Sequence, residues 1–274
     1  MIEYISHQNV QGVKCKMLEI NKIYNMDCLE GMRLLEKESV DLIITSPPYW
    51  VGKNYEKGIT FEEHCKLLEM VFKEVSRVLK SNGRFVLNYD DIATYGGRVD
   101  KFPYEKMMSG IYEQYAHKNG LYIRNRRIWV KDPTWMTNPY VSGKSDRSLA
   151  EFEYLITYAK PKAKGKRRID LQQYKDWAAR GVWHIPSVRK NNDHPAKFPI
   201  EIPIRFILMH TDINDIVLDP FMGSGTTAIA CINTGRNCIG FELNKEYYEL
   251  AKNRINKHII DNNLQDKYSL ITQC

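Results

Sequence analysis

Two segments far apart in the chain carry residue types suited to one reaction: Thr45-Ser46-Pro47-Pro48-Tyr49-Trp50 and Asp219-Pro220-Phe221-Met222-Gly223-Ser224-Gly225-Thr226-Thr227. In the first, Pro47 and Pro48 restrict φ, push their predecessors toward extended conformations and donate no backbone N–H, which leaves carbonyl oxygens as the loop's polar groups. Ser46 adds a hydroxyl and Tyr49 a ring that can stack on a planar base. A stiff loop of acceptors suits an exocyclic amino group. An aromatic amine is a weak nucleophile because its lone pair is delocalised into the ring. Hydrogen bonds accepted from its two hydrogens by Ser46 and the Pro47 carbonyl favour a pyramidal nitrogen and aim the lone pair outward. The loop holds no obvious strong base, and none is needed before transfer, since in-line placement of reacting atoms can supply about 7–11 kcal/mol of barrier reduction.

The second segment places Gly223 and Gly225 where a strand turns into a helix, so the backbone can take positive φ and approach a ligand closely. The third glycine of a dinucleotide fingerprint is replaced by Thr226-Thr227, and Asp219 precedes the turn. A carboxylate there disfavours a pyrophosphate but suits a cationic ligand carrying an ammonium and a sulfonium. Glu242, after the next strand, stands where an acid takes ribose hydroxyls. Alone, the proline loop could be a rigid turn with a surface tyrosine, and the glycine turn a packing device. Together they read as methyl transfer from a sulfonium nucleoside to a base.

Hydrophobic spacing predicts strands at 22–25, 40–45, 84–88, 216–219 and 238–242, and helices at 28–36, 61–79, 199–210, 226–234 and 246–260. Ser81-Asn82-Gly83 is expected to end the second helix before its strand, and segments 122–130 and 152–158 to form an antiparallel pair at a sheet edge. Between Tyr89 and Gly120 the pattern gives no clear period. The fold class is α/β with a mostly parallel sheet, one domain over 1–274. Asp27, Ser46, Asp219 and Glu242 each stand at the carboxyl end of a predicted strand, where such sheets bind ligands, and are expected to line one crevice.

The net charge of +7 is uneven: Lys160, Lys162, Lys164, Lys166, Arg167 and Arg168 form an acid-free run able to attract a polyphosphate backbone. The six cysteines make no C-x-x-C pair and are expected to be reduced thiols. No apolar run approaches a membrane span, and the amino terminus lacks a signal-peptide layout, so a cytoplasmic protein is expected. His184 and His194 match no metal spacing, and no metal is expected.

These motifs resemble the amino-directed, S-adenosylmethionine-dependent DNA methyltransferases of bacteria and their viruses, over roughly residues 21–260. Thr45–Trp50 is similar to the family's catalytic motif, 216–227 to its cofactor motif, 238–244 to its ribose segment, Asn25–Cys28 to the segment near the adenine, and 194–199 to the lead-in of the helix before the glycine motif. The catalytic motif comes first, the permuted order of the β group. Methyltransferases that modify glutamine in release factors place a similar N-P-P-Y loop after their glycine motif.

The resemblance implies a Rossmann-like sheet with helices on both faces. S-adenosylmethionine would be held by Asp27, Cys28, Lys197, Asp219, Pro220, Phe221, Gly223, Ser224, Gly225, Thr226, Thr227, Glu242, Leu243 and Asn244. Catalysis would fall to Ser46, Pro47, Pro48 and Tyr49. Duplex DNA would be the partner, its base flipped into the crevice with Tyr49 as stacking surface and Trp50 at the rim. Sequence would be read from about 131–193, which contains Trp135, Arg147, Trp177, Arg180 and Trp183. Members with S-P-P-Y usually act on cytosine N4. A hydroxyl can accept from either amino group, so adenine N6 stays open, as does a catalytically inactive DNA-binding regulator on the same scaffold. A restriction-modification or solitary modification system is the expected setting, with a homodimer and a cognate endonuclease left open.

Overall fold

The computed structural model describes residues 18–50, 58–94, 104–131, 151–164, 171–188 and 198–269. Its elements run β1 (Lys22–Tyr24), α1 (Cys28–Arg33), β2 (Val40–Thr45), α2 (Phe61–Val78), β3 (Leu79–Tyr89), β4 (Ile92–Thr94), β5 (Tyr104–Lys106), α3 (Ser109–Lys118), β6 (Tyr122–Val130), β7 (Phe152–Ala159), α4 (Leu171–Tyr174), β8 (Val182–His184), α5 (Glu201–His210), β9 (Ile216–Asp219), α6 (Thr226–Thr234), β10 (Asn237–Phe241) and α7 (Lys245–Asp261). The main sheet has eight strands in the order β1-β10-β9-β2-β3-β7-β6-β8. Only β7 runs against its neighbours; β8 joins β6 in parallel. The α/β class and the β6–β7 antiparallel pair agree with the sequence pattern. The pair is not the edge, however, because β8 covers part of β6, and three residues are too few to show a period.

Alternation along the strands splits the core. Leu42, Ile44, Val86 and Val217 face a cluster with α5, α6 and α7, while Val40, Ile43, Phe85, Leu87 and Leu218 face one with α1, α2 and α3. Helix α2 starts in a capping box between Thr60 and Glu63 and buries Leu68, Val71, Phe72, Val75 and Val78. Each such side chain contributes about 1.5–3 kcal/mol by leaving water. Leu79, expected to close that helix, instead opens β3 and pairs with Val40. The register then shifts before Leu42 pairs with Arg84, a bulge that absorbs the predicted turn. Gly83 is required in it, since a Cβ there would lie 2.9 Å from the Asp41 carbonyl oxygen. Helix α1 ends three residues early, in Leu34 and Leu35 N–H bonds to Gly31 and Met32 that tighten the last turn. Among the described residues no helix is long and apolar enough to cross a membrane.

Candidate active site

Strands β2 and β9 are parallel neighbours, with Leu42 opposite Val217 and Ile43 opposite Leu218. From this pair the sheet grows outward both ways, through β10 to β1 and through β3, so the two loops leave the same carboxyl edge side by side at a switch point. The two sequence motifs therefore meet although 174 residues separate Thr45 from Asp219, and the Thr45 hydroxyl donates to Asp219 Oδ1 at 2.6 Å.

Asp219 is 1% exposed. Its Oδ1 also accepts from the Phe221 N–H at 3.1 Å, and its Oδ2 from the Thr227 hydroxyl at 2.6 Å. Burial nevertheless pushes its pKa up to about 6. The sequence pattern suggested a carboxylate facing a cation; the geometry gives both oxygens protein donors, so Asp219 ties the proline loop to the glycine turn from beneath.

Gly223 (φ 53°) and Gly225 (φ 83°) are both left-handed, as the turn into α6 requires. Gly225 also serves packing: a Cβ would sit 3.1 Å from Ile255 Cδ1 and 3.2 Å from the Ala251 Cβ of α7. The Gly223 N–H donates to Glu242 Oε2 at 2.8 Å and the Asn244 N–H to Glu242 Oε1 at 2.8 Å, which aims a half-buried carboxylate whose pKa burial raises. Leu243 beside it is 71% exposed. Asn25 Nδ2 donates to the carbonyls of Glu242 and Leu243 at 2.8 and 3.1 Å, holding the end of β1 to the end of β10.

Other expected cofactor residues have structural partners. Asp27 caps α1 by accepting from Leu29 and Glu30, and Asn244 caps α7 by accepting from Glu246 and Tyr247. Arg254 donates to the Ser224 hydroxyl at 2.6 Å, turning it toward α7. Cys28 is buried, and burial followed by the Asp27 charge pushes its thiol up to about 12. Pro220, Thr226 and Thr227 are buried and Phe221 is half-buried. Lys197 and His194 lie outside the described residues.

In the proline loop Ser46 Oγ is 2.7 Å from the Tyr49 hydroxyl. That hydroxyl is 3.1 Å from Glu153 Oε2, 3.2 Å from Asn88 Nδ2 and 3.3 Å from the Asn88 carbonyl oxygen. Asn88 Nδ2 donates to Glu153 Oε2 at 2.5 Å, and Lys131 Nζ to Glu153 Oε1 at 3.1 Å. Lys131 also lies 3.8 Å from Asp90, whose pKa burial raises to about 6. Burial, then the Glu153 charge, holds the Tyr49 phenol well above its ordinary value. Pro47 is buried and Pro48 half-buried. Trp50 adopts φ 54°, unusual for a bulky residue, with its Nε1 donating to the Ile59 carbonyl at 2.9 Å and its ring centroid 5.1 Å from that of Phe61. Asn88, Asp90, Lys131 and Glu153 were not singled out from the sequence. The available signal was an acid in the apolar run of β7 and an Asn-Tyr-Asp-Asp end to β3.

Trp183 is 1% exposed and packs on Phe206 and Trp177, while Arg180 is exposed; Trp135 and Arg147 lie outside the described residues. The basic run begins away from the crevice. Lys160 follows antiparallel β7 and bonds Glu38 Oε1 at 2.9 Å and the Leu79 carbonyl at 2.6 Å, both at the amino ends of parallel strands. Lys166, Arg167 and Arg168 lie outside the described residues. His184 is exposed at the end of β8, and no group of three or more His, Cys, Asp or Glu is placed to hold a metal among the described residues.

Comparison with known proteins agrees with this fold. The type II methyltransferase M.BglI of Bacillus subtilis is 32% identical over 309 residues, covering 90% of this chain and 88% of its own. M.SmaI of Serratia marcescens, also a type II methyltransferase, is 32% identical over 271 residues, covering 85% and 90%. Among solved structures, the protein TTHA0409 of Thermus thermophilus, complexed with S-adenosyl-L-methionine, superposes with a TM-score of 0.68 at 28% identity, covering 87% of this chain and 94% of that one. The cytosine-N4-specific PvuII DNA methyltransferase shares the fold, with a TM-score of 0.71 at 23% identity and 89% coverage of both chains. Residues 40–253 match the DNA methylase family of N6 and N4 methyltransferases, and the chain belongs to that family.

Proposed function

We propose that this DNA methyltransferase acts on the N4 amino group of cytosine in duplex DNA, with the base flipped into the crevice. One observation carries the reading: a proline loop of acceptors is joined through Thr45 and Asp219 to a glycine turn and an aimed carboxylate built for a nucleoside cofactor. The residues fit S-adenosylmethionine, which supplies an electrophilic methyl when bound. Glu242 takes the ribose hydroxyls, Leu243 and Phe221 offer apolar surface, and the backbone of the Gly223–Gly225 turn permits close approach. Asp27, Cys28, Pro220, Ser224, Thr226, Thr227 and Asn244 shape that wall, Asp219 acts through its neighbours, and the sequence motif alone assigns Lys197 to the methionine end.

On the other side of the crevice Ser46 and the Pro47 carbonyl accept from the two amino hydrogens, Pro48 stiffens the loop, and the Tyr49 ring stacks on the base. A flipped base needs a second surface to read its neighbours. Within 131–193 the stretch opened by Lys131 and closed by Glu151 is suited to that, because these two residues, joined by a backbone hydrogen bond of 2.7 Å, lie at the crevice edge where the chain leaves β6 and returns to β7; β7 itself is an inner strand and Lys160 lies at the opposite edge. The similarity to type II methyltransferases supports a place as the modification partner of a restriction system.

The test is transfer of labelled methyl from S-adenosylmethionine to unmodified duplex DNA, followed by digestion to nucleosides. N4-methyldeoxycytidine is the expected product. N6-methyldeoxyadenosine would overturn the base assignment, and saturable cofactor binding without product would mark an inactive regulator.

A further inference from the structure

The hydroxyls of Ser46 and Tyr49 each hold one proton and two lone pairs, so the direction of a chain through them is set by whatever lies at its end. At the end lies Glu153 Oε2, an acceptor 3.1 Å from the Tyr49 hydroxyl and already receiving Asn88 Nδ2 at 2.5 Å. If Tyr49 pointed its proton at Ser46, a phenol lone pair would face that carboxylate oxygen. The Tyr49 proton therefore goes to Glu153, which is nearer and charged, rather than to the Asn88 carbonyl oxygen at 3.3 Å, and the Tyr49 oxygen accepts from Ser46 at 2.7 Å and from Asn88 Nδ2 at 3.2 Å. Ser46, having spent its only proton inward, turns lone pairs toward the base.

We propose that Glu153 is a positioning residue for methyl transfer: it fixes the direction Ser46 to Tyr49 to Glu153, makes Ser46 an acceptor for an amino group, and receives the proton that the methylated nitrogen must lose. The inference rests on the amino-methyltransferase reading above. The lone pair of the amino nitrogen forms the new N–C bond while the C–S pair leaves with sulfur, and the positive charge passes to nitrogen. A proton then moves from nitrogen to Ser46 Oγ as the serine proton moves to the Tyr49 oxygen and the tyrosine proton to Glu153 Oε2. Nitrogen ends neutral and Glu153 protonated. A phenol held far above its ordinary pKa by burial suits passage in one concerted movement, without a free phenolate. Among the described residues, the charged and titratable groups around Glu153 are Tyr49 from the loop after β2, Asp90 from the end of β3 and Lys131 from the end of β6.

The experiment compares wild type, Glu153→Gln, Tyr49→Phe and the double variant in single-turnover transfer to unmodified DNA, with calorimetric S-adenosylmethionine affinity and thermal unfolding measured beside it. Both single variants should slow transfer about 100-fold with cofactor affinity within about twofold of wild type, and the double should be no slower than the slower single, because one chain is cut twice. Saturation-transfer NMR with free nucleosides gives a readout without turnover. Wild type and Glu153→Gln, which keeps an acceptor, should prefer deoxycytidine to deoxyuridine, and Tyr49→Phe should lose the preference because Ser46 can then donate. Transfer by Glu153→Gln at the wild-type rate, multiplicative losses in the double variant, or a preference intact in Tyr49→Phe would overturn the relay. Those failures occur with an active wild type; a wild type that methylates nothing removes the reading underneath as well.

Discussion

Asp219→Asn separates two forces that act on one buried carboxylate. Three donors favour the charged form, at about 1.5–3 kcal/mol for each hydrogen bond to a charged group, while removal from water disfavours it by several kcal/mol. The structure has burial winning, with a pKa of about 6 against an ordinary 3.8. Between those values the folded protein keeps a proton that the unfolded chain has lost, so stability falls as pH rises through this window and levels off above it. At about 1.36 kcal/mol per pH unit the gap is worth about 3 kcal/mol. Asparagine cannot ionise and escapes this loss; it can still accept from Phe221 and Thr45 and donate to Thr227. Urea unfolding of both proteins at pH 4, 5, 6 and 7 should show the variant gaining on wild type by about 2 kcal/mol across the series, the rest of the gap being already lost at pH 4, whatever their offset there. Parallel stability curves would refute the reasoning. A wild type that gained on the variant with rising pH would show that the donors, and not burial, dominate.

Further outcomes follow from the same geometry. Tyr49→Ala should cut turnover by at least about 100-fold while leaving calorimetric affinity for S-adenosylmethionine within about twofold; equal loss of both would contradict a role on the base side of the crevice. Glu242→Ala should weaken cofactor binding by about 10–100-fold, since two backbone N–H groups lose their acceptor together with the ribose contact; unchanged affinity would move the cofactor elsewhere. Gly225→Ala should lower unfolding stability by about 1–3 kcal/mol in the same urea assay, through its left-handed φ and the contact with Ile255, and a neutral result would mean that α7 yields freely.

How much could be read in advance depended on how much each element relied on its own residues. Val40–Thr45, Ile216–Asp219 and Thr226–Thr234 were visible as predicted because apolar runs and flanking turn residues suffice to define them. The meeting of the two motifs was legible too, because parallel strands place their carboxyl-end loops on one edge, whereas antiparallel β7 sends its own to the other. The fate of Leu79 was hidden, since it depends on pairing with Val40 across the bulge. So was the partnership of Glu153 with Asn88 and Lys131, three residues on different strands or their ends that become neighbours only through the β3–β7 and β6–β7 registers. Asp219 shows the converse: its type suggested a charge for a ligand, and only the fold reveals that Thr45 and Thr227 claim its oxygens.

Strands β10, β9 and β2 are consecutive, so Glu242 and Ser46 stand two inter-strand steps apart, on the order of 10 Å. In the proposed reaction the sheet thus acts as a gauge between two molecules: a donor anchored by its ribose at Glu242 must span that interval to bring its methyl to the amino nitrogen held at Ser46. A donor cut short at the ribose would keep its anchor and leave the interval unbridged, forfeiting the effective concentration that a covalent tether confers.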